Sequence, residues 1–251
     1  MKFIKYLPIL LISAILLSCK SHSLLPQTQN VPLFTDKNQA QLDATFSYRT
    51  AELQAAYTPI NHVGIIVNGM LGLGSMNSLE AGLGAYGVIQ KKCVLELYGG
   101  YGMGSVQSKD SVIGSAFIRG DRYYDINYQG IKYFIQPNIG IRFTDNVSLA
   151  ISCKTNFWTM TKYSYFYERY GSFSGNLKYQ DSIYSRNKQQ ITFEPAITLK
   201  AGGKDVKFMM QVGAYALNDV SRVRGRVNPY NDNPFFLRLG INASFGGAKK
   251  E

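Results

Sequence analysis

The chain has 251 residues with a net charge of +11, and 45% of the residues are hydrophobic and 13% aromatic. The mean hydropathy is −0.11, and no apolar run of 18 residues follows the first twenty, which excludes a bundle of membrane-spanning helices. Two histidines and three cysteines without clustered spacing give no sign of a metal site, and we expect none.

The amino terminus has the pattern of a bacterial secretion signal. Lys2 and Lys5 precede an apolar stretch, residues 7–17, that is too short to span a bilayer as a helix. The stretch ends in Leu16-Leu17-Ser18-Cys19, which resembles a bacterial lipobox. The resemblance implies that Cys19 becomes the first mature residue and carries covalent lipid, and we expect no other cofactor. The alternative is an ordinary signal peptide with a chance cysteine.

The chain divides into a signal, a tether and one domain. We predict a lipoprotein signal peptide over residues 1–18, a lipidated polar tether over 19–39, a barrel over 40–246 and a tail over 247–251. No acidic run follows Cys19, and such runs accompany export of lipoproteins to the cell surface in some bacteria. Its absence favours an anchor in the periplasmic leaflet of the outer membrane.

Ten segments carry apolar residues at every second position, which is the period of a strand with two different faces. In the last of them, Phe235, Leu237 and Ile241 share one face, and Arg238 and Asn242 share the other. The ten segments are 41–49, 51–58, 62–71, 78–88, 93–105, 131–143, 147–158, 191–199, 206–216 and 235–245.

The gaps between these segments alternate in length. Turns rich in Gly, Asn, Asp or Pro fall near 59–61, 90–92, 144–146 and 202–205. Long connections at 106–125, 161–188 and 217–233 fall at the other end. We therefore predict an all-β fold: a ten-stranded antiparallel up-and-down transmembrane β-barrel with short periplasmic turns and long external loops.

Charged side chains on the inward face predict an ion-pair network that fills the lumen. Its candidate members are Glu96, Arg142, Lys154, Glu194 and Arg238. Counted from the periplasmic turns, Lys154 and Glu194 have equal depth on neighbouring strands, and we expect them to form an ion pair. The alternatives are a charged conduit and a catalytic carboxylate pair.

The long connections hold the candidates for external binding. Tyr163, Tyr165, Tyr167 and Tyr170 form either an aromatic girdle with a strand extension or a surface for a glycan or protein. Arg222, Arg224 and Arg226 alternate in the last connection, where they form either a solvated face or a contact to phosphate or acidic sugar.

Other inward and outward positions have simpler interpretations. The frequent inward glycines make space for aromatic side chains across the barrel. Cys93 and Cys153 lie on the apolar face at different depths, so we expect no disulfide between them. His62 falls at a periplasmic turn, the wrong end for the histidine-dependent proteases that some ten-stranded barrels are, and we predict no enzymatic activity.

The signal, the ten alternating segments and a last strand ending in Phe245 together resemble the small bacterial outer-membrane β-barrel family, in a lipid-anchored form. The resemblance implies outer-membrane lipid, lipopolysaccharide and the barrel-insertion machinery as partners, with a possible glycan or protein ligand at the external loops, and no nucleic acid. The function we favour is a mostly plugged barrel for envelope integrity or surface binding. The alternatives are a narrow channel for ions or small solutes, and a soluble periplasmic barrel that holds a lipid in an apolar cavity.

Overall fold

The computed structural model describes residues 26–47, 50–72, 76–90, 92–112, 122–170, 177–185, 188–218 and 235–246. Twelve strands are present in these ranges, and we number them in chain order. They are β1 (Gln39–Phe46), β2 (Thr50–Ile60), β3 (Val63–Gly72), β4 (Met76–Ile89), β5 (Cys93–Val112), β6 (Arg122–Arg142), β7 (Val147–Tyr170), β8 (Leu177–Ser185), β9 (Lys188–Gly202), β10 (Val206–Ala214), β11 (Ala216–Asn218) and β12 (Phe235–Gly246). No helix among the described residues is long and apolar enough to cross a bilayer.

The twelve strands occupy ten positions in one closed antiparallel sheet. β8 and β9 share a position, because both pair with β7, and β10 and β11 share another beside β9. The break before β11 lies opposite Pro195 of β9, which has no N–H to donate to a ladder. β12 pairs with β1 from Gln39–Gly246 to Phe46–Leu239 and closes the barrel. The predicted ten-stranded antiparallel barrel is confirmed.

The two ends of the barrel differ, as the gap lengths predict. Short turns at 61–62, 143–146 and 203–205, and the turn residues Gln90 and Lys92 between β4 and β5, share one end, which we call the short-turn end. The opposite end is the hairpin end. His62 lies in one of these turns with a φ of +67°. Its Nδ1 is 3.1 Å from the backbone oxygen of Tyr86.

The strands at the hairpin end are longer than the sequence pattern predicts. β5 and β6 remain paired to Val112 and Arg122, within the stretch 106–125 that we expected to be a loop. β7 continues to Tyr170 and pairs with both β6 and β8, within the expected loop 161–188. The neighbouring strands satisfy one another's backbone groups, so the sheet continues on this side. On the other side of the barrel the strands are shorter at this end: β1 ends at Phe46 and β3 ends at Gly72.

The two faces of the sheet have opposite character. Large apolar side chains, among them Leu53, Ile139, Ile151 and Phe208, are exposed on the outside. Inward positions are buried and mostly polar or charged, as Glu52, Gln54, Asn68, Glu80 and Gln136 illustrate. An apolar belt around a polar lumen is what a barrel in lipid requires. The described inward residues are mostly polar, which favours a barrel in lipid over the soluble barrel that holds a lipid in an apolar cavity.

Arginine substitution at two depths of the belt tests this assignment. Ile151→Arg places a charge on an outward position that is 56% exposed within the belt, at an expected cost of about 2–4 kcal/mol in folding into vesicles. Phe143→Arg, also outward but at the short-turn end, is expected to cost only about 0–1 kcal/mol. Urea titration of the vesicle-inserted barrel measures both. Equal effects of the two substitutions would contradict a lipid-facing belt.

Candidate functional site

The lumen contains a segment of the chain itself. Residues 26–34 are buried without interruption and Thr35 is partly buried, although all of them precede β1. We call residues 26–35 the luminal segment. The chain turns back at residues 36–38, where Asn38 has a φ of +56°, and continues as β1. Within the predicted tether, the described residues 26–35 therefore lie inside the barrel.

The luminal segment runs antiparallel to β1 along the inner wall. At the short-turn end, the Thr35 N–H donates to Gln39 Oε1 at 2.8 Å. Farther in, Gln41 Nε2 donates to the backbone oxygen of Pro32, and Thr28 Oγ1 lies 3.0 Å from Thr45 Oγ1. Residues nearer the amino terminus of the segment therefore contact residues later in β1.

Side-chain amides of the wall bind the backbone of the segment. Gln211 of β10 accepts the Gln29 N–H at 2.8 Å and donates to the Gln29 carbonyl at 3.1 Å. Gln54 Nε2 donates to the Thr28 carbonyl, and Gln136 Nε2 donates to the Asn30 carbonyl at 2.7 Å. Buried backbone N–H and C=O groups need hydrogen-bond partners. Here side-chain carboxamides provide the hydrogen bonds that a neighbouring strand provides in a sheet.

Two apolar clusters hold the part of the segment nearest the short-turn end. Phe34 packs with a cluster from β2 to β6 consisting of Ala56, Ile66, Tyr86, Tyr98 and Phe134. The Phe34 N–H also donates to Glu96 Oε1 at 3.0 Å. Val31 and Leu33 pack with Val94 and Ala150. This end of the lumen is therefore closed by apolar packing.

Inward glycines create the space for this packing. A Cβ at Gly100 would overlap the ring of Phe134, and one at Gly84 would overlap Tyr98. The glycines make space for aromatic residues as expected, but these residues are register partners on the adjacent strand and do not lie across the barrel. A Cβ at Gly140 would instead overlap Leu33 of the luminal segment. Gly140 therefore provides space for a residue of the luminal segment and not for an aromatic residue of the wall.

The most buried charges form a cluster around Glu80 of β4. Lys132 of β6 and Lys154 of β7 both bind its carboxylate. Each ammonium group also lies 4.7 Å from the centre of an aromatic ring: Lys132 over Trp158 and Lys154 over Phe134. The ring faces add attraction for a desolvated cation.

The expected Lys154–Glu194 ion pair does not form. The two residues are direct partners in the β7–β9 register, so the depth estimate was right. Lys154 nevertheless reaches across the lumen to Glu80, while Glu194 Oε1 accepts from Asn156 at 2.9 Å and Thr192 at 3.2 Å. A lysine side chain is long enough to bind a non-adjacent strand, which an estimate limited to neighbouring strands overlooks.

Two further ion pairs lie elsewhere in the lumen. Arg238 Nε is 3.1 Å from Glu52 Oε1, and Lys200 Nζ is 3.1 Å from Asp43 Oδ2. Arg238 Nη2 also donates to the Pro26 carbonyl at 2.6 Å, and Lys132 Nζ donates to Gln27 Oε1 at 2.7 Å. Wall cations therefore bind the luminal segment as well as wall carboxylates.

The other candidates of the lumen network are separated from these pairs. Glu96 accepts from Asn138 Nδ2 at 2.9 Å. Arg142 lies partly exposed at the short-turn end, 3.7 Å from Asp145 and 3.0 Å from Thr35 Oγ1. Glu96, Arg142, Lys154, Glu194 and Arg238 thus do not form one ion-pair network, although the amides of Asn138, Asn30 and Asn68 connect Glu96 to the Glu80 group.

The external candidates are only partly described. Tyr163, Tyr165, Tyr167 and Tyr170 lie on the outer part of β7, where the backbone pairs with β6 and β8. This placement agrees with the strand extension. Arg222, Arg224, Arg226 and Cys19 lie outside the described residues. Cys93 and Cys153 are free thiols, and the described residues contain no cluster of His, Cys, Asp and Glu that could hold a metal ion.

The sequence interpretation overlooked the luminal segment. A run of polar side chains, from Gln27 to Asn30, is followed by apolar Val31, Leu33 and Phe34 directly before β1. This run alone indicates only a tether. The side chains that bind it are inward amides on three separate strands, Gln54, Gln136 and Gln211. They come together only in the closed barrel, so the sequence does not show that they form one site.

Comparison with known proteins adds little to this description. No family model and no curated protein matches the chain. Among solved structures, the KdgM porin has a TM-score of 0.36 at 11% identity and covers 83% of this chain and 99% of its own. The KdgM porin in complex with disordered oligogalacturonate has a TM-score of 0.37 at 12% identity, covering 83% and 99%. The CymD monoaromatic hydrocarbon channel has 0.32 at 9%, covering 85% and 90%. TM-scores this low carry no argument about what this chain binds or transports.

Removal of the Glu80 carboxylate should be the most damaging change in the lumen. Glu80→Gln leaves Lys132 and Lys154 without their carboxylate, and we expect a loss of about 3–5 kcal/mol in the free energy of unfolding. Glu194→Gln should cost much less, because Glu194 accepts only from neutral groups. Urea titration followed by the fluorescence of Trp158, the only tryptophan, measures both.

A double-mutant cycle identifies the partner of Lys154. Lys154→Met should show strong coupling with Glu80→Gln, so that the double variant loses less stability than the sum of the single variants. The matched cycle with Glu194→Gln should be close to additive. Stronger coupling to Glu194 than to Glu80 would contradict the observed pairing.

Proposed function

We propose that the chain is a non-enzymatic lipoprotein of the bacterial outer membrane whose barrel is closed by its own luminal segment and whose long hairpins face the outside. The observation that carries this proposal is the burial of residues 26–34 inside the barrel. The closed barrel, the apolar belt and the unequal ends agree with an outer-membrane protein whose short turns face the periplasm.

The proposed anchor and partners follow from the sequence. Lipid on Cys19 would hold the chain at the membrane, since two or more acyl chains give stable anchoring. The net charge is +11 for the whole chain and +9 once Lys2 and Lys5 are removed with the signal, and it favours contact with lipopolysaccharide phosphates. The last strand carries the outward Phe245 one residue before its end, and a terminal aromatic of this kind is what the barrel-insertion machinery would read.

A closed lumen is supported by how completely the segment is bound. Its polar half donates to and accepts from wall side chains at Thr28, Gln29 and Asn30. Its apolar half packs into the Phe34 and Leu33 clusters. A solute or ion would have to displace both halves to pass, so the wild-type barrel should conduct little.

A gated channel is the second candidate, and the wall of the lumen favours it. Side-chain hydrogen bonds, and not strand pairing, hold the polar half of the segment, so it can leave without breaking the barrel. The wall that remains is lined by polar and charged residues. Gln54 Oε1 and both polar side-chain atoms of Gln190 are buried without a partner among the described residues, which is typical of a surface that water wets.

The hairpin end is the proposed binding surface. β5, β6, β7 and β8 extend beyond the ends of β1 to β4 and form a paired sheet on one side of the mouth. The outer part of β7 brings Tyr163, Tyr165, Tyr167 and Tyr170 to this sheet. Aromatic residues in such a position suit a glycan or a protein partner.

Planar-bilayer recording tests whether the luminal segment closes the barrel. The wild type should show little conductance. Replacement of residues 27–34 by a Gly-Ser sequence of equal length removes the hydrogen bonds and apolar packing but keeps the connection to β1. This variant should give a clear ohmic conductance, because its lumen is polar and no longer filled. Equal conductance of the wild type and the variant would contradict closure by the segment.

A disulfide lock provides the matched control. Thr28→Cys and Thr45→Cys place two thiols where the native hydroxyls are 3.0 Å apart, in a background of Cys93→Ser and Cys153→Ser. The oxidised barrel should stay closed under applied voltage. Openings in the reduced barrel that oxidation abolishes would support the gated channel. Openings that persist after oxidation would show that ions pass beside the segment.

A further inference from the structure

The direction of the luminal segment fixes where the chain upstream of it goes. Thr35 is level with Gln39, the first residue of β1, at the short-turn end. Thr28 is level with Thr45, one residue before the last residue of β1 at the hairpin end. The segment therefore crosses the height of β1, and its amino-terminal end points to the hairpin end.

The contacts of the first described residues place them near the mouth. The Pro26 carbonyl accepts from Arg238, the fourth residue of β12, which begins at the hairpin end. The Thr28 N–H donates to Glu52, the third residue of β2, at 2.7 Å. On the side formed by β12, β1 and β2, only a few of the described wall residues lie between Pro26 and the hairpin end.

The packing of the described residues argues against a return of the upstream chain through the lumen. Such a return to the short-turn end would need a second strand beside the luminal segment. Among the described residues, the Phe34 cluster fills that end, and Leu33 already contacts the wall where Gly140 lacks a side chain. We therefore expect no second pass of backbone there.

We propose that the chain upstream of Pro26 leaves the barrel at the hairpin end. The amino-terminal side of the mature protein, with any lipid that Cys19 carries, then lies on the outer surface of the cell. This inference rests on the proposed outer-membrane orientation. It differs from the sequence expectation, which placed the anchor in the periplasmic leaflet because no acidic run follows Cys19.

The length of the chain allows this exit. Seven residue steps separate Cys19 from Pro26 and span about 23 Å when extended. Only a few wall residues remain above Pro26 on the side of β1 and β2, and each adds about 2.5 Å of height in a tilted strand. In an extended conformation this length is sufficient to pass the described end of β1 at Phe46 and reach the outer leaflet.

Closure of the barrel gives the amino terminus a path to the outside. β1 follows the segment after one turn, and its other neighbour, β12, is the last strand of the chain. Before β12 pairs with β1, the sheet is open along this seam. The sheet can close around the segment, so no lipid needs to be drawn through a finished barrel.

Cysteine accessibility on intact cells tests the inference. Single cysteines are placed at Ser23→Cys, Lys162→Cys and Lys204→Cys in a background of Cys93→Ser and Cys153→Ser, with acylated Cys19 unreactive. Lys162 is exposed on the outer part of β7, and Lys204 is exposed in a short turn. A membrane-impermeant maleimide should label Ser23→Cys and Lys162→Cys on intact cells, and Lys204→Cys only after permeabilisation.

The two lysine positions separate failure of the inference from failure of the proposed orientation. If they behave as expected but Ser23→Cys is labelled only after permeabilisation, the amino terminus is periplasmic and the inference is overturned. Labelling of Ser23→Cys only after denaturation would place it inside the lumen and overturn the inference as well. If Lys204→Cys is labelled on intact cells and Lys162→Cys only after permeabilisation, or if the two do not differ, the proposed orientation itself is wrong.

Discussion

The need to satisfy polar groups inside a closed barrel governs the rest of this structure. Ten strand positions around a polar wall enclose a space that side chains alone do not fill, and the luminal segment occupies it. Its backbone would be costly to bury without partners, and the amides of Gln54, Gln136 and Gln211 supply them. The wall and the segment are therefore complementary parts of one interior.

Several charges in this interior are balanced locally, in small groups that involve strands far apart in sequence, while Glu96 and Glu194 accept hydrogen bonds from neutral groups. Glu80 binds two lysines from β6 and β7, and Arg238 divides its guanidinium between Glu52 and the Pro26 carbonyl. A buried ion pair adds little net stability, but an unpaired buried charge is expensive. These groups fix which strands face one another across the lumen, and they tie the luminal segment to the wall.

The alternation of apolar and polar residues with period 2 predicts the features that depend on local geometry, such as the two faces of each strand. It does not predict which side chains meet across the lumen. The alternation in β12 and the turn chemistry near 144–146 were enough to give the faces, the strand number and the distinction between the two ends. The same alternation placed Lys154 and Glu194 at one depth, but it could not show that Lys154 binds Glu80 on a strand three positions away. The luminal segment has no period of its own, and its partners are scattered over the whole chain.

In the proposed gated channel, the short turn at residues 36–38 would determine how the segment competes with solutes. Because only this turn separates the luminal segment from β1, a displaced segment stays tethered at the mouth of its own site. Its effective concentration there is in the millimolar range that short linkers produce. A solute that empties the lumen must therefore outcompete an intramolecular ligand, and the segment returns when the solute leaves. Occupancy of the lumen is then set by this tether and is independent of how much protein the membrane holds.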